Sequence, residues 1–192
     1  MTYYPKKHQR RSIRLKGYDY SQEGLYFITM VCQDRAHLFG KITNGKMILN
    51  EAGKIAHQCW LEIPAHFPNV VLHEFVIMPN HVHGVIEIVT TDGTDGTGTD
   101  GTGTDGTAVR AKNISPLLPL PRSPSRTVGS IVRGFKIGVT KWMRQNTTIQ
   151  NVWLRNYYEH IIRNDNSYNR ISTYIINNPS KWEEDMFLKK TN

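Results

Sequence analysis

Two apolar runs rich in β-branched residues, Val70 to Met78 and His81 to Val89, are separated only by Pro79-Asn80. A proline followed by asparagine favours a tight turn, so the two runs read as strands joined in a hairpin, with the histidines beginning the second strand close to the hairpin tip. Successive side chains of a strand point to opposite faces. His81 and His83 therefore project together, while Val82 turns toward an apolar layer. Two convergent neutral imidazoles make half of a metal site. The same pair also fits structural histidines on a half-exposed strand, and the spacing alone leaves both readings open.

The rest of the chain supplies partners for that hairpin. Leu25 to Val31 has strand composition, and Lys41 to Leu49 reads as a short hairpin turning at Asn44-Gly45. A helix is expected from about Glu51 to Ile63, capped by Asn50, with Ile55, Cys59 and Ile63 packing on the sheet. A longer one is expected from about Arg126 to Gln145, with Val128, Ile131, Val132, Phe135, Val139 and Trp142 on its buried side. A further strand falls within Val152 to Arg163. A last helix begins after Asn164 or Asp165 and stops at Pro179, beyond which Trp182 docks the tail. The order strand, hairpin, helix, two strands, helix, strand, helix fits an α+β sandwich of ferredoxin or RRM-like type, an antiparallel sheet covered by helices.

The chain has 192 residues, 39% of them hydrophobic, enough for one domain with an ordinary core. Residues 1–20 form a basic arm, 21–89 and 126–192 a single domain, and 90–125 a low-complexity insertion of Thr-Asp-Gly and Pro-rich units that cannot offset its ordering entropy by burial. The aspartates of the insertion fit the spacing of neither an EF-hand nor a β-helix repeat, so a linker is the expectation. The formal net charge is +8, and the pI is near 9.5. Such a balance favours a polyanionic partner, because each phosphate contact releases counterions. Cys32 and Cys59 lie far apart without metal-ligand spacing, which points to reduced thiols. Neither a signal-peptide core nor an apolar run of roughly 20 residues is present, so the expectation is a soluble cytoplasmic protein without a membrane partner.

Tyr174 and Asn178 stand four apart on the last helix and so share a face. One rigid element can thus present a phenol and a carboxamide oxygen together, although Tyr174 also fits the apolar stripe of Tyr168, Ile171 and Ile175. On the long helix, Arg126, Arg133, Lys136, Lys141 and Arg144 gather opposite the apolar side, and no acidic residue occurs between Arg126 and Asn151. That stripe is either a phosphate-facing surface or a solvated one. The segment from Val152 to Arg163 interleaves Trp153 and Tyr157 with Arg155, a composition that stacks bases and holds backbone; packing of Trp153, Tyr157 and Ile161 in the core competes with that reading. His160 is a candidate phosphate-positioning residue, or a histidine hydrogen-bonded to its neighbours.

Taken in order, Arg11 to Leu15, Val31 to Arg35, Met78 to His83, Gly129 to Lys141, Val152 to Arg163 and Tyr174 to Pro179 resemble the REP-associated tyrosine transposases, relatives of the single-tyrosine insertion-sequence transposases of the HUH superfamily. The resemblance implies the HUH endonuclease fold and an activity: metal-dependent cleavage and transfer of single-stranded DNA at hairpin ends through a 5′-phosphotyrosine. It implies that His81, His83 and Asn178 hold one divalent ion, Mg²⁺ or Mn²⁺, and that Tyr174 is the nucleophile. A glutamine often stands where this chain has the shorter Asn178. The partner implied is a DNA hairpin with a short single-stranded guide, read by the basic arm, with Arg11 and Arg14, and by Arg155. Insertion-sequence relatives share tyrosine helices between two subunits whereas REP-associated members act alone, so monomer and homodimer both fit. An RRM-like nucleic-acid binder without catalysis is the alternative. A small-molecule metalloenzyme built on His81 and His83 would leave the basicity unexplained.

Overall fold

The computed structural model describes residues 17–90, 126–184 and 187. The first sixteen residues of the basic arm, with Arg11 and Arg14, and residues 91–125 of the expected insertion lie outside them. In chain order the elements are β1 (Gly24–Val31), β2 (Gly40–Thr43), β3 (Lys46–Leu49), α1 (Glu51–Leu61), the short α2 (Ile63–His66), β4 (Val70–Ile77), β5 (His81–Ile88), α3 (Val128–Asn146), β6 (Tyr158–Ile162) and α4 (Asp165–Asn177), followed by a 3-10 turn over Pro179–Glu184.

Four strands make one sheet in the order β4-β5-β1-β6, and β2 pairs with β3 apart from it. All pairings are antiparallel. Helices cover both faces, so the architecture is the α+β sandwich that the order of elements predicts. Tyr26, Ile28 and Met30 of β1 and Val82, Ile86 and Ile88 of β5 join Ala56, Trp60, Ile131, Phe135 and Val139 in the larger apolar cluster, which α1 and α3 close. The opposite residues, Phe27 and Val85, pack with Ile162, Ile171 and Ile175 under α4. His81 and His83 share the phase of Val85 and therefore face the α4 layer.

Local chemistry explains most element ends. Asn44 and Gly45 both take positive φ, 51° and 70°, as a two-residue hairpin turn of type I′ requires. The Asn50 side chain accepts from the Gly53 amide at the start of α1, Thr127 and Ser130 form a capping box on α3, and Asn164, of the two candidate caps, accepts from the Ser167 amide on α4.

The buried stripe of α1 differs from the expected one. Ala52, Gly53, Ala56 and Trp60 are buried, while Ile55 and Cys59 are only half-buried. The cause is Trp60, whose indole fills the recess left at Gly84: a Cβ on Gly84 would stand 2.3 Å from the indole ring. Seating the largest side chain there rotates the helix, and Cys59 turns toward α3, its sulfur 3.1 Å from where a Gly138 Cβ would be. On α3 Met143, and not Trp142, completes the buried side. Among the described residues no helix is long and apolar enough to cross a membrane.

Gly84→Ala should lower stability by about 1 to 3 kcal/mol, since the added methyl collides with a ring packed from behind. Thermal and denaturant unfolding measure this, and a midpoint equal to the wild type would refute the close approach.

Candidate active site

The register of the central strands places the site. Thr29 stands opposite His83 and Val31 opposite His81, and Val76 of β4 flanks His83 on the other side. Both imidazoles are buried, 0% exposed for His81 and 2% for His83. Their ring centres are 4.5 Å apart.

Each ring is oriented by a hydrogen bond at Nδ1. The Asn80 amide nitrogen faces the carbonyls of Arg35 and Phe187, at 3.2 and 2.9 Å. Carbonyls only accept, so that end of the carboxamide must be the NH2 group and the oxygen faces His81 Nδ1 at 2.8 Å. His81 Nδ1 therefore carries a proton, and in the neutral ring the lone pair sits on Nε2. His83 Nδ1 lies 2.8 Å from the Thr29 hydroxyl, and its Nε2 lies 3.1 Å from the Tyr174 hydroxyl. Burial first, and the neighbouring His81 second, hold the His83 pKa well below the usual histidine range, which keeps the ring neutral. The sequence singles out neither Thr29 nor Asn80; the Pro-Asn turn explains Asn80 by conformation alone, and its second use appears only when its amide is seen closed between two carbonyls.

Helix α4 carries the phenol to this place. The register between β4 and β5 shifts between Leu72 and Phe75, so His73 and Glu74 together oppose a single residue and both reach the α4 side. The Tyr168 and Ser172 hydroxyls donate to Glu74 Oε2, each at 2.9 Å. The Tyr168 oxygen also lies 3.1 Å from His73 Nδ1, and His73 Nε2 lies 2.9 Å from Glu87. Desolvation would raise the Glu74 pKa, but hydrogen bonds from its own backbone, Tyr168 and Ser172, with His73 nearby, outweigh it and hold the carboxyl below its usual range. These bonds fix α4 along its axis. Further along the helix, Tyr174 is 42% exposed and Asn178 is buried at 3%. Both line a hollow of about 420 Å³ with Arg170, Thr173, Asn177 and Lys181. Beyond it Trp182 lies nearly parallel to His81, ring centres 6.0 Å apart, and Phe187 packs on His81 at 4.8 Å.

The other residues singled out for DNA are dispersed. Arg133 is exposed on α3, the layer opposite Tyr174. Lys136 on the same helix donates to the carbonyls of Leu154 and Asn156, at 2.9 and 3.2 Å, and burial lowers its pKa to about 8. Its charge is thus used inside the fold. Trp153 packs at a tilt against Phe39 and Phe135, with ring centres 5.3 and 5.6 Å away, so its half-buried ring is seated on the larger core cluster. Tyr157 packs against the α1 and α3 cluster; its neighbour Tyr158, 47% exposed, is the tyrosine on the face of Phe27 and Tyr174. Tyr157 and Ile161 thus pack on the larger cluster, as the core reading of this segment expects, while Ile162 is buried on the other face under α4. Arg155 is exposed in the loop before β6. His160, also exposed, lines a second hollow at the start of α4.

This chain is 50% identical over 183 residues to an uncharacterized protein of Haemophilus influenzae, across 93% of this chain and 92% of that one. The chain belongs to the family of that protein. No protein-family model matches it. Among solved structures it resembles a REP-associated tyrosine transposase bound to a REP hairpin, with a TM-score of 0.56 and 18% identity over 90% of this chain and 74% of the other. At that identity the likeness establishes a common fold: a four-stranded antiparallel sheet with helices on its faces.

The hydrogen-bonded Glu74 has a pH signature. A carboxyl held low when folded contributes stability above its unfolded pKa and loses it as pH falls through the folded value. Between about pH 5 and pH 3 the wild type should therefore lose stability more steeply than Glu74→Gln, measured as melting temperature against pH; parallel curves would refute the assignment.

Proposed function

We propose that the chain is a metal-assisted single-stranded DNA endonuclease and strand transferase in which Tyr174 is the nucleophile. One observation carries the reading: a half-exposed phenol lies 3.1 Å from Nε2 of a buried histidine whose partner histidine, two residues before it, has its Nε2 lone pair fixed by Asn80. Ordinary packing requires neither the two orienting hydrogen bonds nor the exposure. The fold likeness to a tyrosine transposase supports the same class of reaction.

The donor set suits a divalent ion. Two neutral imidazoles oriented through their Nδ1 atoms are what a metal site asks of its histidines. Among the described residues no third histidine, cysteine or carboxylate joins them in ligand arrangement, so the remaining positions fall to the Asn178 amide oxygen and to phosphate. Imidazole favours softer ions than the all-oxygen shell of Mg²⁺, which makes Mn²⁺ the better fit. Held by His81, His83 and Asn178, such an ion would neutralise charge on the nonbridging oxygens of the scissile phosphate.

The residues of the chain do the rest. Tyr174 loses its proton and its oxygen bonds to phosphorus; the bond from phosphorus to the 3′ oxygen breaks, and that oxygen leaves as a 3′-hydroxyl. The 5′-phosphotyrosine so formed is attacked by another 3′-hydroxyl, which restores the phenol and reseals DNA. A phenol with pKa about 10 leaves more readily than an alkyl alcohol, so the exchange needs no ATP. Tyr174 meets His83 of its own chain, which supports an active site built within one subunit. The substrate class proposed is a DNA hairpin with a single-stranded flank.

Incubation with a fluorescent hairpin oligonucleotide and Mn²⁺ should give an adduct that survives a denaturing gel and is absent in Tyr174→Phe. An adduct persisting in that variant would overturn the reading. In the tautomer protonated at Nδ1, His83 Nε2 has one lone pair, for which the phenol competes with an ion, so Tyr174→Phe should bind Mn²⁺ at least as tightly as the wild type. Asn80→Ala, which frees the His81 ring to turn, should weaken Mn²⁺ binding about 10- to 100-fold. Calorimetric titration separates these, and unchanged affinity in Asn80→Ala would remove Asn80 from the site.

A further inference from the structure

Two hollows lie along the outer side of α4, and Arg170 borders both. The upstream one, about 790 Å³, sits between β6 and the first turn of α4 and includes His160, Arg163 and Asn166, with Glu159 on its wall. The downstream one holds Tyr174, Asn178 and Lys181, with Glu184 at its far end. Asn166, Arg170, Thr173, Tyr174, Asn177 and Lys181 form one exposed stripe. After Asp165 no carboxylate occurs in the chain until Glu183, so the stripe lacks the acidic neighbours that usually compensate cations on a helix. Among the described residues the side chains of Arg170 and Lys181 enter no hydrogen bond or ion pair.

We propose that the two hollows are consecutive subsites for a single-stranded DNA backbone, with Arg170 as the phosphate clamp between them. The strand passes from the β6 side along α4 to Tyr174 and on to Lys181. This rests on the reading of Tyr174 as nucleophile and adds residues to it. Arg170 precedes Tyr174 by one helical turn, a rise of roughly 6 Å, comparable to the step between neighbouring phosphates of an extended strand. A guanidinium fork holding one phosphate thereby presents the next one to the phenol. Lys181 supplies a point charge on the other side. Tyr158, exposed on the same face of the sheet with its ring 6.4 Å from Phe27, offers a base a stacking surface. Arg163, Arg170 and Lys181 stand along the two hollows, and these three cations argue for a charged strand over a protein segment.

The salt dependence of binding tests this. In the full-length Tyr174→Phe protein, which cannot be consumed by reaction, anisotropy of a labelled single-stranded oligonucleotide gives affinity across a range of NaCl concentrations. Arg170→Ala should weaken binding several-fold and reduce the slope of log K against log salt by about 0.7, the value for one phosphate contact on a single strand. Arg170→Lys should keep the slope. Arg133→Ala, a cation on the opposite layer, should leave both unchanged. An unaltered slope in Arg170→Ala overturns the proposal, as does an equal loss in Arg133→Ala, which would mean diffuse attraction. Adduct formation in the Tyr174-competent protein separates this proposal from the reading beneath it. If Arg170→Ala forms the adduct at the wild-type rate with an unchanged slope, the clamp falls and the nucleophile stands. If Arg170→Ala loses binding while the wild type forms no adduct, the strand-binding track stands and the nucleophile falls.

Discussion

The pairing of β1 with β5 is the constraint on which the rest depends. It sets Thr29 against His83, and each face of the sheet holds that register separately. On one face the Trp60 indole occupies the space that a side chain on Gly84 would need; on the other the Thr29 hydroxyl meets His83 Nδ1. A slip of one residue would exchange the faces of every β5 side chain, sending both imidazoles into the apolar layer of α1 and α3 and bringing Val82 under α4. It would cost the Trp60 recess and leave two buried imidazoles without their partners, so the alternative is closed by packing and by hydrogen bonding at once.

The layer under α4 is chemically unlike the layer under α1 and α3. Its apolar cluster is small, while Thr29, Asn80, His81, His83, Ser172 and Asn178 are all buried polar residues around it. Buried polar groups are tolerable only when bonded, and the bonds here run from sheet to helix: Glu74 to Tyr168 and Ser172, His83 to Tyr174. Such contacts are directional, which a methyl packed against a methyl is not. They locate α4 along its axis and so fix the phenol relative to the imidazole. The β4 bulge belongs to the same arrangement, because a regular strand would turn either His73 or Glu74 away from α4.

Short-range periodicity made much of this legible in the amino-acid order. The hairpin at Pro79-Asn80, the common face of His81 and His83, the caps at Asn50 and Asn164 and the shared turn of Tyr174 and Asn178 depend on bonds between near neighbours in the chain, and they occur where those residues predict. The composition likewise gave the expectation of a polyanionic partner. Contacts between distant segments were a different matter. Which side of α1 is buried was decided by Trp60 against Gly84, and the choice between core packing and base stacking for Trp153 and Tyr157 by the cluster under α1 and α3. Lys136 and Trp153 look like a cation and an aromatic available to DNA until the loop before β6, which carries Trp153, packs against α3. Thr29 has no local distinction at all, and Arg170 is an ordinary helical arginine until two hollows form beside it. Sequence determines how each segment presents its side chains, because dihedral preferences and caps are local; tertiary structure alone decides which of those side chains meet, because register, bulges and the seating of one large ring are settled by competition among all the segments for the same space.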